Sequence, residues 1–108
     1  METLKAMNTR KSVRNYTGAL SDEALQIILK AGQAAPIGRA KYDTMHMTVI
    51  RDKNLLHEID RAGAAFFGDM NATPLYGAPC LVLISTVIAD PAAANVPHSN
   101  AAVVIENM

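Results

Sequence analysis

The chain has 108 residues, half of them hydrophobic, with 10 basic and 10 acidic side chains. This length predicts one domain over residues 1–108, and the hydrophobic content excludes a disordered chain. The zero net charge argues against nucleic-acid and anionic-membrane partners, and the apolar runs are too short to cross a bilayer. The polar first ten residues are unlike a signal peptide, and a single cysteine excludes a disulfide framework, so we expect a cytoplasmic protein.

The first third of the chain predicts two helices separated by a basic stretch. Residues 2–7 carry two apolar side chains three positions apart, which predicts a short helix. The basic residues 10–14 (RKSVR) follow it. Ser21 is a suitable helix N-cap and precedes two acidic residues, which predicts a helix over residues 21–35. Pro36 ends this helix, because the residue before proline avoids the α conformation.

A strand and a third helix come next. Residues 45–51 alternate between two faces, which is typical of a strand. Asp52 is a suitable N-cap, and the helix after it is expected to end near Gly68. The spacing predicts that its buried face consists of Leu55, Leu56, Ile59, Ala62, Ala65 and Phe66.

The last third predicts one more strand and one more helix. Residues 80–88 form a nearly unbroken apolar run, typical of a central strand buried on both faces. Either Ser99 or Asn100 would cap a final helix that runs to the last residue. The strand–helix–strand order of residues 45–88 favours a parallel or mixed sheet.

Two strands rarely form a stable sheet alone, and the last helix carries no stop signal. We therefore expect an α+β fold whose helices pack on a mixed sheet and which is incomplete at the C-terminus. The missing part would come from another chain or from further sequence. The alternative is a small, marginally stable α+β domain whose last helix frays.

Two segments could bind a ligand. The side chains of Arg10, Lys11, Ser12 and Arg14 could surround a phosphate, although a solvated basic terminus is the alternative. Residues 36–40 (PIGRA) form the other segment, in which Gly38 would let the backbone approach a planar ligand. An ordinary loop is the alternative there.

Other chemistry has little support in the sequence. His46 and His57 lie on a predicted strand and helix without metal-ligand spacing, so no metal site is expected. The alternation of the strand points His46 away from Met45 and Met47, which argues against a copper site. Cys80 is expected to be buried and inert, and no glycine-rich phosphate loop is present in the sequence.

Five stretches, in this order, resemble elements of the FMN-dependent nitroreductase family. They are residues 8–16 with a basic–x–Ser–x–basic phosphate clamp, the helix of residues 21–35 with its Ala-Ala-Pro ending, the strand in residues 42–50, the Gly-Ala-Pro and apolar strand of residues 77–87, and residues 100–108 at the start of the central helix. The resemblance covers nearly the whole chain. It implies an enzyme that uses NAD(P)H and FMN to reduce a nitroaromatic, a quinone or a similar small-molecule acceptor. It also implies a homodimer with FMN at the interface, touched by both subunits.

The resemblance assigns cofactor-binding roles but no catalytic side chain. Arg10, Lys11 and Ser12 would hold the FMN phosphate and ribityl chain, and Arg14 would reach the N1/O2 side of the flavin ring. The residues that would line the ring are Pro36, Ile37 and Gly38. Many relatives have polar Ser and Asn side chains in this loop, whereas this chain reads PIGRA, which suggests backbone contacts. Asn100 would face the flavin or the dimer interface.

Relatives continue well past residue 108, so the chain resembles the N-terminal part of the nitroreductase domain. A second function therefore stays open: a truncated, non-catalytic remnant, or a module for dimerisation or flavin binding without turnover. A basic arm that binds nucleic acid is disfavoured by the zero net charge.

Overall fold

A computed structural model describes residues 2–38 and 42–108. The predicted order of helices and strands is confirmed. The elements are α1 (Thr3–Thr9), α2 (Asp22–Gln33), β1 (Met45–Ile50), α3 (Lys53–Phe67), β2 (Leu81–Thr86) and α4 (Asn95–Asn107), with short 3-10 turns at Tyr42–Thr44 and Pro91–Ala93. Within the described ranges, none of the helices has the length and apolar character needed to span a membrane.

The predicted helix caps form as expected. The Ser21 hydroxyl accepts a hydrogen bond from the Ala24 amide at 3.1 Å, and the Asp52 carboxylate accepts one from the Leu55 amide at 2.8 Å. Each cap satisfies a backbone donor that has no partner inside its helix. Gly68 ends α3 with a φ of 70°, a left-handed conformation that glycine adopts without steric cost.

The two described strands are antiparallel, so they do not form the parallel sheet that was one of the two expectations; a mixed sheet can contain such a pair. Ile50 pairs with Leu81 and Met45 pairs with Thr86, which places the start of β2 beside the end of β1. The connection from β1 to β2 must therefore leave from and return to the same end of the sheet. Helix α3 carries the chain away, and residues 68–80 bring it back.

Strand β2 is also less buried than the sequence predicted. Its burial alternates towards its end, and Leu83 is 49% exposed. The strand has one described neighbour, β1, so one edge and part of one face lie open. Cys80, expected to be buried, is half-buried.

Helix α3 buries only part of the predicted face. Leu56 is buried and Ile59 half-buried as predicted, but Phe66 is 85% exposed, and Ala64 is buried without having been predicted. The predicted residues Leu55, Ala62 and Ala65 are exposed as well. A Cβ atom at Gly63 would lie 2.9 Å from the Pro74 ring, so the packed face lies directly against a loop. Glycine permits that close approach, whereas Phe66 and Phe67 lie exposed at the end of the helix.

Helix α4 begins earlier than predicted, at Asn95 rather than after Ser99 or Asn100. The 3-10 turn before it is capped by Asp90 and leads almost directly into the helix. Pro97 falls in the first turn of α4, where its missing N–H has no intrahelical partner to lose. The Asn100 side chain is consequently inside the helix and free of any capping role.

The core lies between α2, α4 and the sheet. Its buried residues are Ala35, Ile37 and Val104, against which Met45, Met47, Ile84 and Met108 pack. On the surface, Arg51 donates to the Asp22 carboxylate at 2.7 Å and to the Leu20 carbonyl at 2.9 Å. Donating this hydrogen bond to Asp22 raises the pKa of the Arg51 guanidinium. The two contacts of Arg51 join the start of α2 to the end of β1.

Candidate functional site

The basic segment of residues 10–14 leaves α1 and lies on the surface. The Arg10 amide donates to the Ala6 carbonyl at 3.1 Å, which closes the last turn of α1, and all five residues are exposed. The Arg10 Nε lies 3.5 Å from the Glu106 Oε1, with side chains 60% and 74% exposed. An ion pair this exposed contributes little to stability, so the Arg10 guanidinium can exchange Glu106 for another anion.

The chain after the basic segment is held by a loop that the sequence did not single out as functional. The Tyr16 amide donates to the Tyr76 carbonyl at 2.9 Å. Tyr76 has a φ of 55°, a left-handed conformation that costs free energy in a residue with a side chain. A Cβ atom at Gly77 would lie 3.2 Å from the Tyr16 carbonyl oxygen, so glycine suits this close approach. Tyr76 and Gly77 thus fix the path of the chain just beyond Arg14.

The loop after α2 is anchored in the core. Ala35 is fully buried and Ile37 is 8% exposed, whereas Pro36 and Gly38 are exposed. Because the Ile37 side chain packs in the core, only its backbone is available to a ligand on the loop surface. The predicted loop residues Arg39 and Ala40 lie outside the described residues.

Asn100 joins this loop to α4. The Gly38 amide donates to the Asn100 Oδ1 at 2.7 Å, and the Asn100 Nδ2 donates to the Gly38 carbonyl at 3.5 Å. Asn100 is 8% exposed and is the one buried polar residue in the described part of the chain. The two residues are 62 positions apart in the sequence. The carboxamide is therefore engaged with the protein backbone.

The predicted site residues thus lie in two groups along α4. The loop of Pro36, Ile37 and Gly38 meets this helix through the Gly38 contact with Asn100, whereas Arg10 meets it at Glu106, six positions later. Six residues correspond to about 9 Å along a helix and roughly 240° around it. The two contacts therefore lie on different faces of α4.

The predicted alternation of β1 is confirmed only at the start of the strand. His46 is exposed while Met45 and Met47 are half-buried against the core, but Thr48 and Ile50, predicted to lie on the same side as His46, are half-buried as well. Over residues 2–38 and 42–108, no group of three or more His, Cys, Asp or Glu side chains could hold a metal ion.

Comparison with known proteins identifies the fold. The chain matches no protein-family model and no curated protein. It is similar to a solved nitroreductase with bound FMN from Bacteroides fragilis, with 27% identity and a TM-score of 0.84 over 99% of this chain and 62% of that one. A nitroreductase with bound FMN from Desulfitobacterium hafniense shares 25% identity and a TM-score of 0.79 over 97% of this chain and 61% of that one.

An FMN-dependent nitroreductase from Clostridium difficile also matches, with 26% identity and a TM-score of 0.73 over 97% of this chain and 55% of that one. The chain has the nitroreductase fold. The resemblance to the FMN-dependent nitroreductase family is therefore confirmed, and with it the α+β fold class. The chain spans between 55% and 62% of the length of these three nitroreductases.

Within this nitroreductase fold, two contacts were not indicated by the sequence. The Asn100 side chain binds the Gly38 backbone, whereas its expected position facing the flavin or the dimer interface stays a prediction. The signal in the sequence was an asparagine four positions before the apolar Val104, a spacing that places both side chains on the same side of a helix. Glu106 was not singled out, and its proximity to Arg10 could not be inferred from spacing because the two are distant in sequence.

Proposed function

We propose that the chain is the N-terminal part of a cytoplasmic, FMN-dependent oxidoreductase of the nitroreductase type. It would pass electrons from NAD(P)H to a nitroaromatic, a quinone or a similar small-molecule acceptor. The observation that supports this most strongly is the loop of Pro36 and Gly38, held on α4 by a buried carboxamide in a fold shared with FMN-bound nitroreductases.

The basic segment fits the phosphate end of FMN. It offers three cations and a hydroxyl, from Arg10, Lys11, Arg14 and Ser12, and all four side chains are exposed. Guanidinium and ammonium donors suit a phosphate, and the exposed Glu106 is a weak competitor for Arg10. We assign Arg10, Lys11 and Ser12 to the phosphate and ribityl chain, and Arg14 to the N1/O2 side of the ring.

The loop fits the ring end. Pro36 and Gly38 present exposed backbone beside a core-anchored Ile37, so the loop could lie against a flat ring without moving a side chain. Bound FMN would supply the hydride and electron chemistry, while the protein holds and orients it.

A homodimer with FMN at its interface is the assembly we propose. The two groups of site residues contact different faces of α4, at Asn100 and Glu106. This placement supports an arrangement in which the basic segment of one subunit and the loop of the other share one flavin.

Flavin binding by the purified chain tests the proposal. FMN is added, unbound flavin is removed by gel filtration, and the visible spectrum is recorded. We expect retained FMN in a dimer, weaker retention in Arg14→Ala, and unchanged retention in the exposed α3 control Arg61→Ala. Unchanged retention in Arg14→Ala would contradict the assigned site, and a colourless wild-type chain would refute the function.

A non-catalytic flavin-binding or dimerisation module is the second candidate. It is favoured by the share of the solved nitroreductases that the chain spans, which is 62% for the Bacteroides fragilis protein. Oxidation of NADH and NADPH with a nitroaromatic or quinone acceptor separates the two. A chain that retains FMN and dimerises but oxidises neither nicotinamide is the module.

A further inference from the structure

The Asn100 carboxamide is engaged in a way that argues against direct contact with a ligand. Its Oδ1 accepts from the Gly38 amide at 2.7 Å, and its Nδ2 lies 3.5 Å from the Gly38 carbonyl oxygen. The first contact is a short hydrogen bond and the second is at the long limit. A buried amide without such partners would be costly, so this pairing explains why an asparagine is tolerated in the core-facing side of α4.

The two sides of the loop are fixed by different means. On the side of α2, Ala35 and Ile37 are buried in the core. On the other side, the Gly38 backbone is held by Asn100, and a Cβ atom at Gly38 would lie 3.4 Å from Oδ1. The exposed Pro36 and Gly38 backbone is therefore held in place before any ligand arrives. Such preorganisation lowers the ordering cost of binding.

We propose that Asn100 is a positioning residue, which fixes the Gly38 backbone so that the loop can lie against the flavin ring, and that it does not itself touch the flavin. This inference rests on the proposed flavin function. Because the loop would act on the ring, which FMN and riboflavin share, loss of the Asn100 side chain would weaken the binding of both flavins equally. Loss of the phosphate contact at Arg10 would weaken the binding of FMN only.

The test measures FMN and riboflavin affinity in the full chain and in three variants. Asn100→Leu removes the acceptor and places an apolar side chain of similar size at the same position. We expect its affinity for both flavins to fall by the same factor, about tenfold, because the Gly38 amide loses its partner. Arg10→Ala should lower the affinity for FMN and leave the affinity for riboflavin unchanged. Asn54→Ala, an exposed asparagine on α3, is the matched control and should change neither affinity.

Two spectroscopic measurements separate positioning from a general loss of structure. Hydrogen exchange of the Gly38 amide, followed by NMR without flavin, should quicken in Asn100→Leu. It should stay slow in Asn100→Asp, which keeps an oxygen acceptor. The visible circular dichroism of bound flavin should change in Asn100→Leu and stay as in wild type in Arg10→Ala, while the far-ultraviolet spectrum stays constant in both.

The outcomes distinguish this inference from the proposed function. If wild type binds both flavins and Asn100→Leu binds them equally well, the positioning role is wrong and the function stands. If Asn100→Leu lowers the affinity for FMN but not for riboflavin, the positioning role is also wrong, because that result would place Asn100 at the phosphate site. If wild type binds neither flavin, the proposed function and the positioning role both fall, whatever the exchange rate of Gly38.

Discussion

Glu106 provides a test in which removing a charge should strengthen cofactor binding. Its carboxylate lies 3.5 Å from the Arg10 Nε. If Arg10 binds the FMN phosphate, the phosphate approaches the same guanidinium from another side, about 7 Å from the Glu106 carboxylate. Two anions at that distance repel each other, so Glu106→Gln should raise the affinity for FMN.

The size of the effect follows from the exposure of the pair. At about 7 Å in water, a charge of roughly −1.5 to −2 on the phosphate repels one carboxylate by about 1 kcal/mol. Screening is slight at about 0.01 M salt, where the Debye length is roughly 30 Å, and nearly complete at about 1 M, where it is roughly 3 Å. We therefore expect Glu106→Gln to bind FMN about fourfold more tightly at low salt and equally at high salt.

Flavin-fluorescence titration at both salt concentrations measures this change. Riboflavin is the control ligand, since it lacks the phosphate and should bind equally to wild type and Glu106→Gln. The variant should keep its stability within about 1 kcal/mol, because the lost ion pair is exposed. Unchanged or weaker FMN binding at low salt would refute the placement of the phosphate at Arg10.

Three further predictions concern the fold and are measured by urea unfolding. Asp52→Ala should lower the free energy of unfolding by about 1 kcal/mol, because the Leu55 amide loses its cap, whereas the neighbouring Lys53→Ala should change little. Gly68→Ala should cost about 1–2 kcal/mol, because φ is 70° there, and no loss would contradict the left-handed end of α3. Leu56→Ala should cost about 2–5 kcal/mol and Phe66→Ala about 0.5 kcal/mol or less, and a cost for Phe66→Ala as large as that for Leu56→Ala would contradict the exposed position of Phe66.

The order of elements was predictable because its signals are local. Ser21 and Asp52 each cap the helix that follows, and Gly68 ends α3, all within a few residues of the feature they determine. The direction of strand pairing was not predictable in this way. It depends on the return path of residues 68–80, which packs Pro74 against Gly63 of α3, a contact between residues 11 positions apart.

The same distinction applies to the candidate site. The clamp pattern of residues 10–14 is read from spacing alone, and the resemblance that it helped to support is confirmed. The pairing of Gly38 with Asn100 spans 62 positions, and asparagine is also a common helix cap, so the sequence favoured the wrong start for α4. A polar residue four positions before a buried valine was the better guide.

The two groups of site residues differ in how firmly the protein holds them. The Gly38 end is fixed by a buried hydrogen bond and by neighbours in the core, whereas the Arg10 end is held by an exposed ion pair. If both groups bind one flavin, the ring end is therefore formed in advance, and the phosphate end is ordered by the ligand. Salt would then weaken the phosphate contact and leave the ring contact unchanged, because screening acts on exposed charges. The ratio of FMN to riboflavin affinity should consequently fall as salt rises, while riboflavin affinity stays constant.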